Sequence, residues 1–551
     1  MGEVYVYHDL FGYILQMSPD LLEFLSAFGT GARVEDVCKE YANAFGENTP
    51  ESFVGTFIQF GCLITPGYDQ LKDIWDMIPV KSRWNVWVRG DDGNVTLYTA
   101  WGDRAGQAHA LSAEETKIWD AINGEMGLET LAEWFGKDAV GALVKRLVHH
   151  DVQALKLSAL AMSYYKSRQH MRPPYITSTM PYAPYEAGAP IPPGPDALFS
   201  TDGYYEHEVE DADAQFDHEE TTLSHLLRRP HVALHGKTYG AALIEGLGKR
   251  FELGTGPFKV LEIGGGLGWV AKAVTEALQA LGGPVTYHIL ELSPALARAQ
   301  RENTKGLPVT VFEGDALKAD FPGDDYDLVI SNEMVGDLTA VKVTHEQLGM
   351  GGEQGIDDAK FDAGLEAMGE AGALVKKHNV PIGDAPDPFF LNVGAWRLVE
   401  RIWDALRPGG LAIVTEFGEV GRYPILSSQL DHPELSTHFG HLTIVAMSVG
   451  FKPKFEYIID MVSLDRDKKG LATTRSYFRA LTQALADKGV TLEKIGYTEE
   501  MFSELIGAAG LVANENLGSI EFDRIEDRLM GLVPHEFKAL LLAKPLPTLE
   551  A

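Results

Sequence analysis

The chain has 551 residues, 45% of them hydrophobic, and is long enough to form three or four globular domains. Its 79 acidic residues outnumber its 47 basic residues and give a formal net charge of −32. This charge argues against nucleic acid or an anionic membrane as the main partner. It allows a cationic peptide substrate, although a solvated acidic surface is the simpler explanation.

The cysteine content and the hydrophobic pattern point to a reducing compartment. The sequence has two cysteines, Cys38 and Cys62, and their spacing suits neither a disulfide framework nor a metal site. No apolar stretch has the length of a membrane span, and no signal peptide is visible. We therefore expect a cytoplasmic protein that has no membrane partner.

The first 160 residues contain one pattern twice, a β-hairpin followed by three helices. In the first copy, residues 4–17 alternate as a hairpin does. Ser18 and Pro19 then mark a helix start, and further helices are predicted over 34–45 and 53–63.

The second copy repeats this order. Its hairpin turn is Asp91-Asp92-Gly93-Asn94, and Ser112 with Glu115 forms a capping box at the start of its first helix. Two more helices follow, and residues 152–157 predict a closing strand.

Both copies resemble the PqqD-like winged-helix module, also called the RiPP recognition element. The similarity lies in helix order and in three segments: Leu21-Leu22-Glu23-Phe24-Leu25, Ala32-Arg33-Val34-Glu35-Asp36-Val37 and Leu128-Glu129-Thr130-Leu131. Members of that family hold the leader of a ribosomal precursor peptide by adding it as a strand beside their hairpin. The resemblance therefore implies a leader peptide as a partner of residues 1–160. A scaffolding or dimerisation module is the alternative, and a homodimer stays open.

A proline-rich stretch over 172–195 predicts a linker between the front modules and the rest of the chain. The resulting division has six parts. They are the first module (1–75), the second module (76–165), the linker (166–200), a cofactor-binding core (201–344), an inserted lid or substrate wall (345–392) and the remainder of the catalytic domain (393–551).

The core begins with a buried strand over 258–263, followed by glycines and a helix that starts near Trp269. The pattern is E-x-G-x-G-x-G, with Glu262 as its acid and a turn formed by Gly264, Gly265, Gly266 and Gly268. Such a turn brings backbone N–H groups close to a ligand. A dinucleotide fingerprint would need glycine at position 269, where tryptophan stands.

Three further strands end in polar residues. Residues 285–291 end in Glu291, which Leu292 follows, and a carboxylate here suits the hydroxyls of a ribose. Residues 309–313 precede Gly314, Asp315 and Ala316, and residues 326–332 deliver Asn332 and Glu333. Ligands of open parallel sheets bind at the carboxyl ends of the strands, so we expect these side chains to meet there.

The four strand ends together resemble class I S-adenosylmethionine (SAM) methyltransferases. The resemblance implies an α/β, doubly wound, Rossmann-like sheet and SAM as the cofactor. In that arrangement Asp315 reaches the adenine amino group, Ala316 supplies a backbone N–H and Asn332 adjoins the cofactor.

Within that class, two groups are similar to this chain. Gly203-Tyr204-Tyr205, Ser331-Asn332-Glu333 and residues 530–540 resemble the MidA-type methyltransferases, some of which methylate arginine on a protein. Residues 331–336 are also similar to the first arm of the double-glutamate loop of protein arginine methyltransferases. The second glutamate of that loop is missing, because Lys342 and Val343 stand at its place.

The predicted catalytic residues are Glu333, Asn332, Tyr204, Tyr205 and His441. Glu333 is expected to orient a substrate N–H, with a purely loop-shaping role as the alternative. For the tyrosines and His441, packing is the alternative, and no metal is predicted from the histidines around His441.

The sequence thus predicts a SAM-dependent methyltransferase of a peptide or protein, acting on nitrogen of a precursor held by its leader. Two alternatives stay open. One is an O- or C-methyltransferase of a small metabolite, and the other is a non-catalytic SAM-binding assembly factor.

Overall fold

The computed structural model describes residues 4–8, 14–29, 31–46, 48–59, 61–65, 74–82, 85–100, 104–149, 151–167, 198–210, 222–350, 358–427, 434–472, 475–518, 520–526 and 536–547. The chain divides into two compact units. The first combines residues 1–194, 473–492 and 500–521, and the second combines 195–472, 493–499 and 522–551. Within the described ranges, no helix has the length and apolar character needed to cross a bilayer.

The first unit opens with an antiparallel hairpin and three short helices. These are β1 (Val4–Tyr7), β2 (Ile14–Met17), α1 (Pro19–Ser26), α2 (Val34–Glu40) and α3 (Pro50–Gln59). The Ser18 side chain accepts the N–H of Leu21, as the predicted cap requires. Phe24 is fully buried, and its ring meets those of Phe28, Tyr41 and Phe45 edge to face. The second and third helices are shorter than predicted.

The next elements form a second small core. They are β3 (Ile78–Lys81), β4 (Val86–Arg89), β5 (Val95–Tyr98), β6 (Ala108–Ala110), α4 (Ala113–Ala121), α5 (Leu128–Phe135), α6 (Lys137–Val148), β7 (Leu155–Ser158) and α7 (Met162–Lys166). The predicted hairpin β4–β5 is present and is extended by β6, and the capping box at Ser112 is present as well. The predicted closing strand pairs with β3. The resemblance to peptide-leader modules stays a prediction.

The described part of the second unit contains an eight-stranded central sheet and several smaller sheets. Its strands are β8 (Leu198–Phe199), β9 (Phe258–Ile263), β10 (Val285–Glu291), β11 (Val309–Glu313), β12 (Tyr326–Asn332), β13 (Ala340–Val343), β14 (Phe389–Leu391), β15 (Leu406–Glu419), β16 (Leu426–Ser427), β17 (Glu434–Leu435), β18 (Thr437–His438), β19 (Lys452–Tyr457), β20 (Lys469–Leu471), β21 (Phe522–Arg524) and β22 (Phe537–Ala543).

The order in the central sheet is β11-β10-β9-β12-β15-β22-β19, and β18 pairs with the end of β15. The first five strands are parallel, and β22 runs antiparallel to both of its neighbours. The chain moves outward from β9 to β11 and then returns to the other side of β9 with β12. This reversal creates a crevice at the carboxyl ends of β9 and β12. The predicted doubly wound sheet is therefore confirmed.

The helices of this unit are α8 (Leu223–Leu226), α9 (Tyr239–Gly248), α10 (Trp269–Ala280), α11 (Pro294–Asn303), α12 (Asp358–Ala367), α13 (Glu370–His378), α14 (Val393–Ala405), α15 (Phe439–Val449) and α16 (Ile458–Met461). Ser293 caps α11 and Pro294 opens it, as the sequence indicates. Within the predicted insertion, helices α12 and α13 are separated at Gly369, whose φ is +59°. Its proposed role as a lid stays a prediction.

The chain returns to the first unit near its end. Helix α17 (Arg475–Ala486) packs on β4 and β5, and the Tyr98 hydroxyl donates to Asp487 at 2.7 Å. Gly518 N–H donates to Trp87 O at 3.1 Å, beyond helix α18 (Glu499–Gly507). Residues 473–492 and 500–521 belong to the first unit, whereas the sequence analysis assigned all of 393–551 to the catalytic domain. Strand β21 pairs with β20 and lies outside the central sheet.

Candidate functional site

A cleft of about 1070 Å³, open solvent included, lies at the carboxyl ends of β9, β10, β11 and β12. Most of the predicted cofactor residues line it, which places four distant sequence segments around one space. Those lining it are Glu262, Gly264, Gly265, Gly266, Glu291, Leu292, Asp315, Ala316 and Asn332. Gly268 is not among the lining residues and instead begins α10 with φ +85°.

The turn after β9 requires glycine for two reasons. Gly264 has φ +72°, and a Cβ there would lie 2.6 Å from the Cγ atom of Met334. A Cβ at Gly265 would lie 2.8 Å from Ile289 Cγ2. The backbone of the turn can therefore pass between β10 and the loop after β12 only without side chains.

Glu291 ends β10 as a buried acid with several donors already in place. Its Oε1 accepts the N–H of Ser293 at 2.9 Å, and its Oε2 accepts from Gly265 N–H at 3.3 Å and Gln300 Nε2 at 2.7 Å. Burial raises the pKa of Glu291 to about 6, and these donors limit the rise. The carboxylate is thus ionised at neutral pH and fixed in place.

Glu262 is the second-last residue of β9 and lies next to Glu291, but its pKa is raised further. Burial, with a further contribution from the Glu291 charge, raises its pKa to about 8, although a hydrogen bond from the Tyr287 hydroxyl at 3.0 Å opposes the rise. Glu262 is therefore mostly protonated at neutral pH. The two neighbouring acids hold a single negative charge between them in this state.

Asp315 follows β11 and contacts its own loop. Its Oδ1 accepts the Leu317 N–H at 2.7 Å, and its carboxylate pairs with Lys318 Nζ at 2.6 Å. Burial raises its pKa, but these two partners outweigh burial and lower the pKa overall. The acid is ionised, and it faces the cleft beside Ala316.

Asn332 lies at the centre of a buried hydrogen-bond network. Its Oδ1 accepts from the Tyr239 hydroxyl at 2.8 Å and from Thr415 Oγ1 at 2.9 Å. Its Nδ2 donates to Ser224 Oγ and to Glu333 Oε1, both at 3.1 Å. Every hydrogen-bonding position of the amide is thus engaged, which orients the side chain rigidly.

Glu333 occupies the left-handed region with φ +53°, an uncommon conformation for a non-glycine residue. Its carboxylate accepts the N–H groups of Leu223 at 3.0 Å and Ser224 at 3.3 Å, and also the Ser224 hydroxyl at 3.1 Å. Burial raises its pKa, and these donors oppose the rise. Glu333 lines the cleft while it holds the start of α8.

The remaining predicted catalytic residues differ in their placement. Tyr205 lines the cleft and donates to Asp337 Oδ2 at 3.0 Å. Tyr204 is not among the lining residues and packs edge-on against Tyr205. His441 is not among them either: its Nε2–H donates to Pro381 O at 3.0 Å, and its ring stacks on His438 at 3.6 Å. Tyr204 and His441 therefore lie outside the lining of this cleft, and their catalytic roles stay predictions.

The cleft also contains residues that sequence reasoning missed. Thr222, Ser224 and His225 line it at the start of α8, Asp337 lines it from a 3-10 turn after β12, and Glu434 lines it from β17. The capping signal at Thr222 was readable, but nothing in the local sequence says that a four-residue helix returns to the end of β12. Only the contacts with Glu333 reveal it.

Glu416 lies within β15, three residues before its end, and is close to Glu333 and Asp337. Its Oε2 accepts the N–H of Gly336 at 2.9 Å, and burial, with the nearby charges of Asp337 and Glu333, raises its pKa to about 8. Among the described residues, no group of three or more His, Cys, Asp or Glu side chains is arranged to hold a metal ion.

The strand order, the glycine turn after the first strand and the acid that ends the second define a class I methyltransferase fold. A comparison with protein families agrees, because residues 260–348 match the methyltransferase domain family. The chain therefore contains a SAM-dependent methyltransferase domain.

A curated relative also matches, although over a short stretch. It is a non-reducing polyketide synthase from Penicillium rubens, 36% identical over 90 residues, which are 16% of this chain and 3% of the relative. Since the chain spans so little of that protein, the match does not carry over its activity.

Solved structures resemble this chain only loosely. One is a Burkholderia thailandensis protein bound to S-adenosyl-homocysteine, with 16% identity, 61% of this chain and 81% of that chain covered, and a TM-score of 0.34. Another is an N-methyltransferase from Haemonchus contortus in complex with phosphomonomethylethanolamine and S-adenosylhomocysteine, with 16% identity, coverage of 55% and 52%, and a TM-score of 0.27.

Proposed function

We propose that the protein transfers the methyl group of SAM to a nitrogen atom of a peptide or protein. One observation carries the proposal: the cleft that Glu291 lines is also lined by the half-buried acid Glu333 and the buried acid Asp337. Acids at that end suit an acceptor that carries N–H groups or positive charge.

The reaction places few demands on the protein. The nitrogen lone pair attacks the methyl carbon, the carbon–sulfur bond breaks, and its electron pair stays on sulfur, which leaves as S-adenosylhomocysteine. The nitrogen then loses one proton. The protein must align nitrogen, carbon and sulfur at about 3 Å contact and provide an acceptor for that proton.

Glu333 is the proposed orienting group and proton acceptor. Its Oε1 is used by Ser224 and Asn332, whereas the described residues give its Oε2 one donor, the N–H of Leu223. A carboxylate oxygen has about two lone-pair sites, so Oε2 has room for a substrate N–H. Tyr205 and Asp337 form the adjacent polar wall.

An arginine side chain as the methyl acceptor receives less support than a nitrogen acceptor in general. The resemblance to protein arginine methyltransferases ends before the second glutamate of their loop. Lys342 stands near that place, on strand β13. Lys342 is not among the residues that line the cleft, so the resemblance does not favour arginine over an amine or amide nitrogen.

The proposed partner is the leader of a ribosomal precursor, bound by residues 1–160. Support comes from two hairpins of the first unit, each followed by three helices, and from the net charge of −32, which suits a basic peptide. Binding of the leader would raise the local concentration of the core peptide at the cleft.

The test uses the full chain, because the first unit combines residues 1–194 with residues 473–492 and 500–521. A precursor peptide encoded nearby is incubated with the protein and SAM, and the products are read by mass spectrometry. Free leader, added in trans, should raise the apparent KM for the full precursor but not for a leaderless core. Equal effects on both substrates would contradict leader binding, and an unmodified peptide would contradict peptide methylation.

A small-metabolite acceptor is the second candidate, favoured by the 90-residue match to a polyketide synthase. A non-catalytic assembly factor is the third. Labelled SAM separates them. Transfer of label to a small molecule supports the second, and binding of S-adenosylhomocysteine without any transfer supports the third.

The cofactor site itself is tested by calorimetry with S-adenosylhomocysteine. Glu291→Ala should weaken binding about a hundredfold, since bonds to a buried carboxylate contribute roughly 1.5–3 kcal/mol each. Failure of the unaltered protein to bind the ligand would remove the basis of the proposal.

A further inference from the structure

Gln300 lies on α11, next to the glycine turn. Its Nε2 donates to the carbonyl oxygen of Gly266 at 2.8 Å and to Oε2 of Glu291 at 2.7 Å. One amide group therefore connects the turn after β9 to the acid that ends β10. Gln300 is itself fully buried and is not among the residues that line the cleft.

The partners determine the orientation of this amide. A backbone carbonyl and a carboxylate are both acceptors, so the nitrogen must face them and both of its N–H groups are used. The Oε1 atom is buried and has no hydrogen-bond partner among the described residues. An unpaired buried acceptor is unfavourable, and methionine would avoid it. The contribution of Gln300 therefore lies in its two donated bonds.

Close packing keeps the side chain in this position. A Cβ at Gly265 would lie 3.2 Å from Gln300 Nε2, and one at Gly268 would lie 3.2 Å from Gln300 Cα. The glycines thus let the turn rest directly on Gln300. The amide has little freedom to swing away from Glu291.

We propose that Gln300 is a positioning residue that holds the Glu291 carboxylate in the orientation needed for the ribose hydroxyls of the cofactor. The inference rests on the proposed function, because it requires SAM at this site. Partners behind a ligand-binding carboxylate commonly determine how well it binds.

The same bond affects protonation of Glu291. Burial raises the pKa of Glu291, and the Gln300 amide is one of the donors that oppose the rise. Loss of the amide should therefore raise that pKa further. A role in packing alone would not move it, so pH dependence separates the two roles.

The test compares Gln300→Met with a matched control, Asn303→Leu. Methionine has nearly the same length but no donor. Asn303 lies on the same helix and its Nδ2 donates to Leu267 O at 2.9 Å, so its loss disturbs the turn without touching Glu291. Affinity for S-adenosylhomocysteine is measured by calorimetry from pH 5 to pH 9.

We expect Gln300→Met to lose affinity by about tenfold or more at pH 7, the effect of one bond to a charged group. The pH below which binding weakens should move upward. Asn303→Leu should bind more tightly than Gln300→Met and keep the pH profile of the unaltered protein. Equal affinities and equal profiles for the two variants would overturn the inference.

Absence of binding by the unaltered protein would instead overturn the proposed function, so the two failures are distinguishable. Should Gln300→Met not fold, Gln300→Leu replaces it. Leucine also lacks a donor and adds no charge, so the same loss of affinity and the same upward shift of the pH profile are expected. An unshifted profile in that variant would also overturn the inference.

Discussion

The carboxylate of Glu333 accepts the backbone N–H of Leu223 at 3.0 Å, so a residue at the end of β12 caps a helix 110 residues earlier in the chain. Carboxylates stabilise helix N-termini because the first N–H groups lack partners within the helix. The proposed catalytic acid therefore also fastens one wall of the cleft. Its two roles can be separated by experiment.

Glu333→Gln should lower kcat by about a hundredfold or more, the usual effect of losing a general acid or base. The affinity for S-adenosylhomocysteine should change little, because the cofactor residues stay in place. Steady-state kinetics and calorimetry measure the two quantities.

Thr222→Ala is the matched control for this prediction. The Thr222 hydroxyl accepts the His225 N–H at 3.1 Å, so its loss loosens the same helix without changing Glu333. Similar kcat values for Thr222→Ala and Glu333→Gln would show that Glu333 acts through the helix alone.

Gly264→Ala should prevent cofactor binding. The new Cβ would meet the side chain of Met334 at 2.6 Å, in a backbone conformation of φ +72°. Gly282→Ala is the control, since Gly282 has φ +100° with nothing within 4 Å of an added Cβ. Both variants lose about 1–2 kcal/mol to backbone strain, but only Gly264→Ala should lose affinity in calorimetry. Equal affinities would argue that Met334 moves aside without consequence.

Glu262 should make the protein less stable as pH rises. Its pKa is about 8 in the folded state against 4.5 without burial, so the folded state binds more protons between these values. Its contribution is complete below about pH 4.5 and is lost as pH approaches 8. Glu262→Gln cannot ionise and should exceed the unaltered protein in stability at pH 9 by on the order of a few kcal/mol.

Denaturant unfolding at pH 5, 7 and 9 measures this difference, which should nearly vanish at pH 5. Glu276→Gln, on the exposed face of α10, is the control and should show the same pH dependence as the unaltered protein. A Glu262→Gln variant that is less stable than the unaltered protein at every pH would contradict the prediction.

Tyr98→Phe should loosen the returning segment of the first unit. The Tyr98 hydroxyl donates to Asp487 at 2.7 Å, and loss of a bond to a charged group costs about 1–3 kcal/mol. Hydrogen exchange of the amides of α17 should accelerate. Tyr457→Phe, a change at an exposed tyrosine of β19, should leave the hydrogen exchange of α17 unaltered. Unchanged exchange in Tyr98→Phe would mean that other contacts hold α17.

The sequence alone predicted the four strands that border the cleft and most of the residues that follow them there. Strands β9, β10, β11 and β12 appear with their predicted bounds, because strands in a parallel sheet form continuous apolar runs that end abruptly. The acids and glycines that follow them meet because the carboxyl ends of parallel strands share one edge. The residue types that follow each strand could be read without knowing which distant residues they contact.

Tertiary structure decided what each polar residue does there. His441 looked available, yet it is buried against Pro381 and His438, and Glu333 turned out to cap α8. Likewise, residues 393–551 were all assigned to the catalytic domain, but helix α17 packs on the sheet of β4 and β5. Hydrophobic spacing shows that a face is buried, whereas the surface that buries it depends on residues hundreds of positions away.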